Sequence, residues 1–109
     1  FYGEIADKWF ENIYIDRAFA ATNGVFDNNV TTANPIEGSI QRVAFKHARK
    51  KYVVADSSKF NRSDVYTFYS LSDIDCLITD DKLTDTTRDY YNTFTKILKE
   101  EQAWFWQLL

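Results

Sequence analysis

The chain has 109 residues, of which 45% are hydrophobic and 27% charged, a composition typical of one soluble globular domain. One cysteine excludes an internal disulfide, and one cysteine with one histidine excludes the usual Cys/His zinc site, so we expect neither a metal nor a cofactor. The formal net charge of −3 makes this part of the molecule a poor candidate for binding a phosphate backbone directly.

The first two predicted elements are a helix and a strand. Residues 4–13 have the apolar spacing of an amphipathic helix. Residues 17–22 form a short, mostly apolar run that ends in Asn23 and Gly24, which predicts a strand followed by a turn.

The strongest local signal predicts a helix over residues 34–51. Asn34 is a good N-cap, Pro35 suits the first helical position, and Glu37 stands where a capping box has its acidic member. A single apolar stripe then recurs at helical spacing, formed by Ile36, Ile40, Val43, Ala44, His47 and Ala48. The basic run at residues 46–51 is interpreted as the solvated end of this helix, where positive charge suits the helix dipole.

Two further strands and a second helix follow. Residues 52–55 and 76–79 are short apolar runs without alternation, which is typical of strands buried on both faces, and Cys76 is expected to be a small buried side chain. Thr84 is a candidate cap for a helix with one aromatic face, formed by Tyr90, Tyr91 and Phe94. Residues 94–98 fit either a continuation of that helix or a last strand.

The alternation of helices and strands predicts an α/β fold with a mainly parallel sheet, whose strands lie near 17–22, 52–56 and 76–80. In such a sheet the ligand lies in the crevice at the carboxyl ends of the strands. Three clusters of small, polar and charged residues follow the predicted strands: Thr22, Asn23 and Gly24; Asp56, Ser57, Ser58 and Lys59; Thr79, Asp80 and Asp81. Their composition suits a polyol or a phosphate, with Lys59 as the one ammonium among them.

Four motifs in the right order resemble one family, the DeoR family of bacterial transcriptional repressors. Residues 56–60 (DSSKF) resemble its D-x-S-K-F signature, and residues 74–80 (IDCLITD) resemble its I-D-x-x-I-T-D segment. Upstream, residues 16–25 resemble its D-x-A-F…G-[IV] strand and turn, and residues 31–42 resemble its G-[LF]-T…E-A-x-x-K-R helix. The upstream stretches look most like the repressors of lactose phosphotransferase systems. At position 38 a glycine replaces the family's usual alanine, at a helix cost of about 1 kcal/mol.

The resemblance implies the effector-sensing domain of a cytoplasmic, DNA-binding repressor of sugar metabolism, such as lactose metabolism. A domain of this kind is similar in fold to ribose-phosphate isomerases and CoA transferases, binds a phosphorylated sugar as its effector, and is not an enzyme. Residues 1–99 would be the carboxyl-terminal part of that domain, and residues 100–109 an unassigned tail. The family's operator-binding winged helix-turn-helix and its D-S-G-[TS]-T loop are absent from this sequence.

The start at Phe1 and the lack of methionine favour an excised fragment over a complete gene product. A truncated sensing domain leaves one edge or face of its sheet without cover, so we expect an exposed apolar patch that drives homo-oligomerisation. We expect no membrane partner, because no apolar run reaches 18 residues.

The residues expected to bind the effector come from two of the clusters and from the start of the predicted helix. They are Asn23, Gly24, Thr32, Glu37, Asp56, Ser57, Ser58 and Lys59. Several also have a purely structural interpretation. Lys59 fits a loop lysine paired with Asp56, and Glu37 fits a capping-box member. Asn23 and Gly24 fit a turn.

Two other functions stay open at this point. A sugar-phosphate isomerase would need a positioned general base, for which Glu37, Asp56 or Asp80 could serve, although no isomerase motif surrounds them. A pure dimerisation module would use the aromatic residues as its interface. The run Trp104, Phe105 and Trp106 in the tail fits core packing, a partner surface, or sequence foreign to the family.

Overall fold

The computed structural model describes residues 8–9 and 11–99, which form two β-sheets and two α-helices. The strands and helices follow one another as β1 (Ile15–Ala21), β2 (Gly24–Phe26), β3 (Asn29–Thr32), α1 (Pro35–Lys46), β4 (Ala48–Val54), β5 (Tyr66–Ser70), β6 (Cys76–Thr79), α2 (Asp85–Tyr91) and β7 (Lys96–Lys99). No helix in the described ranges is both long and apolar enough to span a membrane.

Four strands form a parallel sheet in the order β1-β4-β6-β7, which confirms the predicted α/β class. Because this order is also the chain order, every crossover moves in the same direction, and right-handed crossovers then lie on one face of the sheet. That first face is defined by Ala20, Val53, Leu77 and Ile97, which share one buried cluster with Phe45 of α1 and Tyr91 of α2. The opposite, second face holds a separate buried cluster, whose members in the described part of the chain are the strand residues Tyr52, Cys76, Ile78 and Leu98.

An antiparallel sheet in the order β2-β3-β5 was not predicted from the sequence. Its buried residues Val25, Val30 and Phe68 join the cluster on the first face of the parallel sheet. Arg42 of α1 ties the helix to β5, since its guanidinium donates to the Thr67 and Phe68 carbonyl oxygens at 2.8 and 3.0 Å. The fold is therefore a mixed α/β arrangement, and the expectation of a mainly parallel sheet describes only one of its two sheets.

The predicted start of α1 is confirmed, but the predicted end is wrong. The Asn34 side chain accepts hydrogen bonds from the Ile36 and Glu37 amides, and Pro35 is the first helical residue. The helix ends at Lys46, and the basic run at 48–51 belongs to β4. The reason is that β4 pairs with β1. This pairing begins with Ala48 opposite Ile15, so the backbone of the basic run forms part of the sheet instead of continuing the helix.

The predicted strands and the second helix are largely confirmed. Thr84 caps α2 by accepting a hydrogen bond from the Thr87 amide, and residues 96–98 belong to β7, after a turn at 92–94, instead of prolonging the helix. Cys76 is buried, and burial raises the pKa of its thiol to about 12. Val54 corrects the prediction of a strand buried on both faces, because it is 43% exposed.

The remaining predictions concern the helix expected at residues 4–13 and the tail at residues 100–109. Lys8 and Trp9 are helical and Glu11 and Asn12 form a turn, so the predicted first helix does not extend to residue 13. The beginning of that helix and the tail at 100–109, with its Trp104, Phe105 and Trp106, lie outside the described residues.

Candidate ligand-binding site

The carboxyl ends of β1, β4 and β6 lie side by side at one edge of the parallel sheet. The register aligns Ala21 with Val54, and Val54 with Ile78. Helix α1 runs in the opposite direction, since Gln41 near its middle donates to the Ala21 carbonyl oxygen at the end of β1 at 3.3 Å, while His47 at the helix end accepts from the Ile15 amide at the start of β1 at 3.2 Å. This carboxyl edge therefore collects the loops after three strands and the first turn of a helix.

The loop after β4 is held by carboxylates. Asp56 accepts hydrogen bonds from the Ser58 amide at 2.9 Å and from the Ser58 hydroxyl. Asp80, which follows β6, accepts from the Ser57 amide at 3.0 Å. The structure thus brings two of the predicted clusters into direct contact. Asp80 also stabilises the turn that follows β6, because it accepts from the Lys82 amide at 2.9 Å.

Both carboxylates at this edge are favoured in their ionised form. The pKa of Asp56 is lowered, first by the Ser58 hydroxyl that donates to it, with a smaller contribution from the positive charge of Lys59. The pKa of Asp80 is lowered, first by the Ser57 amide and further by the Lys82 amide. The Lys59 ammonium makes no ion pair among the described residues, so the predicted pairing of this lysine with Asp56 is not formed as a close contact.

Glu37 sits in the first turn of α1 and is exposed. The capping box that its position suggested is not closed, because the Asn34 amide donates to the Thr32 hydroxyl at 3.4 Å instead of to the Glu37 carboxylate. Asn34 alone caps the helix. The Glu37 carboxylate stands at the carboxyl edge without a hydrogen-bond donor in the described part of the chain.

The other three predicted residues belong to a hydrogen-bond network next to the antiparallel sheet. The Asn23 side-chain oxygen accepts from the Thr32 hydroxyl at 3.0 Å and from the Ala33 amide at 3.3 Å, which fastens the end of β1 to the start of α1. Gly24 is buried and does not have a positive φ. A Cβ there would lie 2.4 Å from the Arg62 carbonyl oxygen, so close approach of another backbone segment explains this glycine.

Sequence reasoning missed Lys99 as a second ammonium at this edge. Lys99 ends β7 in register with Thr79, is buried, and donates from Nζ to the Leu83 carbonyl oxygen at 2.8 Å, with an Asp85 carboxylate oxygen 3.9 Å away. The residue could have been included once residues 94–98 were assigned to a strand, because the rule for carboxyl ends then applies to position 99. No cluster of three or more metal-ligating side chains occurs within the described ranges.

A separate cavity of about 460 Å³ lies at the opposite, amino edge of the sheet. It is lined by residues 11–14 and 46–49, none of which belongs to the predicted site. The carboxyl edge is a chemically stronger candidate, since it combines carboxylates, hydroxyls and an ammonium at the place where α/β sheets bind their ligands.

Comparison with known proteins finds one family and several regulators. A family model described as the DeoR C terminal sensor domain matches residues 1–81. The lactose phosphotransferase system repressor of Streptococcus mutans is 39% identical over 80 residues, which are 73% of this chain and 32% of that protein. The protein of the same name from Lactococcus lactis is 33% identical over 101 residues, 93% of this chain and 40% of its own length. The HTH-type transcriptional repressor GlcR of Bacillus subtilis is 28% identical over 79 residues, 72% of this chain and 31% of its own length. The chain spans between 31% and 40% of the length of these relatives.

Proposed function

The chain belongs to the DeoR C-terminal sensor domain family, and from that premise we propose that it binds a phosphorylated sugar at the carboxyl edge of its parallel sheet. Binding is proposed to regulate a DNA-binding repressor of sugar metabolism, in keeping with the names of its relatives. The effector site comprises the predicted residues, with Lys59 for the phosphate and Asp56 and Glu37 for the sugar hydroxyls.

The single observation that carries this proposal is the position of Lys59 in the loop after β4, which the carboxylates of Asp56 and Asp80 hold in place. The Ser57 and Ser58 amides, which could otherwise hold a phosphate, already donate to Asp80 and Asp56. The Lys59 ammonium is therefore the positively charged group in this loop that can take a phosphate. Carboxylates accept hydrogen bonds from hydroxyl groups, so the Asp56 carboxylate near Lys59 is an acceptor for the hydroxyl groups of a bound sugar.

The regulatory step needs no chemistry at the sugar. A bound effector shifts a conformational equilibrium only as far as its affinities for the two states differ, and that shift sets the affinity of the whole repressor for its operator. Operator binding would be performed by a winged helix-turn-helix in another part of a cytoplasmic protein. The relatives compared above are named as repressors and not as isomerases, which favours a binding domain over an enzyme.

The finer fold and the assembly are parts of the same proposal. We propose that the complete domain has the fold of ribose-phosphate isomerases and CoA transferases, with residues 1–99 as its carboxyl-terminal part and 100–109 as an appended tail. We also propose a homo-oligomer formed through the second face of the parallel sheet. This face carries Phe19, which is 51% exposed and stacked on Tyr52, with Val54 nearby.

A thermal-shift screen of the full-length protein tests the proposed function. The probes are glucose 6-phosphate, galactose 6-phosphate, fructose 6-phosphate and ribose 5-phosphate, each compared with the free sugar and with inorganic phosphate. A ligand at 100 times its Kd stabilises the folded state by about 2.7 kcal/mol, which raises the Tm by several degrees. A shift from at least one sugar phosphate, and not from its free sugar, supports the proposal. If no sugar phosphate exceeds inorganic phosphate, the proposal is wrong.

A further inference from the structure

Among the described residues, two buried side-chain polar atoms lack a hydrogen-bond partner, and both belong to residues at the carboxyl edge. They are the side-chain oxygen of Gln41 and the hydroxyl oxygen of Thr79. Thr79 is only 4% exposed. Buried polar atoms are nearly always hydrogen-bonded in folded proteins, because leaving one without a partner costs stability. A protein that keeps two such atoms beside its candidate site calls for a functional explanation.

Gln41 reaches this edge from the helix. It lies one turn after Glu37, and residues four apart share one face of a helix. Its side-chain nitrogen donates to the Ala21 carbonyl oxygen at the end of β1, which fixes the side chain in place. The side-chain oxygen is thereby held at the carboxyl edge as an acceptor that no described residue uses.

Thr79 reaches the same edge from the sheet. It is the last residue of β6, and it precedes Asp80, whose carboxylate holds the loop that contains Lys59. Side chains alternate along a strand, so Thr79 shares the first face with Leu77, the face that α1 covers. Gln41 and Thr79 therefore both lie at the carboxyl edge on the first-face side of the sheet, Gln41 at the end of β1 and Thr79 at the end of β6.

We propose that Gln41 and Thr79 bind hydroxyl groups of the sugar and determine which sugar is recognised. This inference rests on the proposed function and names two residues beyond the predicted site. An amide oxygen accepts hydrogen bonds, and a threonine hydroxyl both donates and accepts, which matches the hydroxyl groups of a sugar. Lys59 binds any phosphate, whereas neutral groups in fixed positions discriminate between sugars, because a mismatched hydroxyl leaves them unpaired.

Thr79→Val gives the sharpest test, because valine keeps the shape of threonine and removes only the hydroxyl group. A polar atom without a partner adds nothing to the stability of the ligand-free protein, so the Tm of the variant should be unchanged or higher. Affinity for the sugar phosphate that gives the largest shift in the screen should fall by about 5- to 100-fold, as expected for one lost hydrogen bond to the ligand. Gln41→Met should also lower this affinity.

Thr95→Val is the matched control, because the Thr95 hydroxyl is buried but donates to the Ile74 carbonyl oxygen. This variant should lose stability and keep wild-type affinity by calorimetry. If wild-type protein binds a sugar phosphate and Thr79→Val binds it equally well, the inference is wrong while the proposed function stands. If the wild type binds none of the four sugar phosphates, the proposed function fails, and the inference fails with it.

Discussion

Lys59 is the residue on which the proposed phosphate contact depends. Its ammonium lies beside Asp56 and makes no ion pair in the described part of the chain. Charge-assisted hydrogen bonds contribute about 1.5–3 kcal/mol each, so Lys59→Ala should weaken sugar-phosphate binding by about 10- to 150-fold. Calorimetry on the full-length protein measures this effect. Operator binding without effector should persist, which gives a repressor that no longer responds to its inducer.

Lys82→Ala is the control for Lys59→Ala, since it removes the same charge from the adjacent loop. Lys82 is exposed, and its backbone amide, not its side chain, donates to Asp80. Its replacement should leave affinity within about twofold of wild type. Equal affinity of Lys59→Ala and wild type would make Lys59 a structural loop residue. Loss of operator binding in Lys59→Ala would show instead that the substitution damages the fold or the assembly.

Asp80 should contribute to stability in a pH-dependent way. Its pKa is lowered from the ordinary value of 3.8, chiefly by the Ser57 amide. A carboxyl group of this kind adds stability that is present above its unfolded pKa and is lost as the pH falls through its folded pKa. Asp80→Asn should therefore reduce the difference in free energy of unfolding between pH 7 and pH 3, measured by urea titration. Asp81→Asn is the control, because the Asp81 carboxylate makes no hydrogen bond or ion pair among the described residues, and it should leave that difference as it is in wild type.

At the scale of whole elements, sequence patterns predicted the structure correctly where a single local interaction determines it. The Asn34 and Thr84 caps act within three residues, and both were predicted correctly. The end of α1 was missed because the pairing of β4 with β1 depends on residues more than 30 positions apart. The antiparallel sheet was missed because β2 has three residues and β3 is mostly polar, so neither carries a strand pattern.

The contact of α1 with the antiparallel sheet explains the glycine at position 38. A Cβ there would lie 2.6 Å from Tyr66 Cδ2 and 2.8 Å from Thr32 Cγ2. Gly38→Ala should therefore destabilise the protein by about 1–3 kcal/mol through overpacking, although alanine is the better helix former. Ser39→Ala on the same helix is the control and should be neutral or stabilising. Chemical denaturation measures both, and a Gly38→Ala variant as stable as wild type would contradict the proposed tight contact.

At the scale of the whole molecule, parallel strand order made much of the candidate site predictable. The rule that ligands bind at carboxyl ends predicted that the loop of residues 56–59 and Asp80 lie at the same edge, where the Ser57 amide donates to Asp80. Burial could not be predicted in the same way, because it depends on how the two sheets and α1 pack. Gln41 and Lys99 therefore escaped notice, and Thr79 was placed in a polar cluster but not among the expected binding residues, since the importance of all three lies in what surrounds them and not in a motif.

The second face of the parallel sheet should govern self-association. On this face Tyr52, Cys76, Ile78 and Leu98 are buried within the subunit, so its exposed apolar part is formed by Phe19 and Val54, which are 51% and 43% exposed. Apolar surface of this kind rarely persists on a monomer, so sedimentation of wild-type protein should show an oligomer.

Phe19→Lys should raise the dissociation constant of this oligomer about tenfold or more, because each subunit would bury a charge where it buried an aromatic ring. Val54→Lys on the same face should act similarly, whereas Val65→Lys, at an 83% exposed apolar residue in the loop before β5, should not. A wild-type monomer at all concentrations, or oligomers of Phe19→Lys and Val54→Lys as stable as wild type, would exclude this face as the interface.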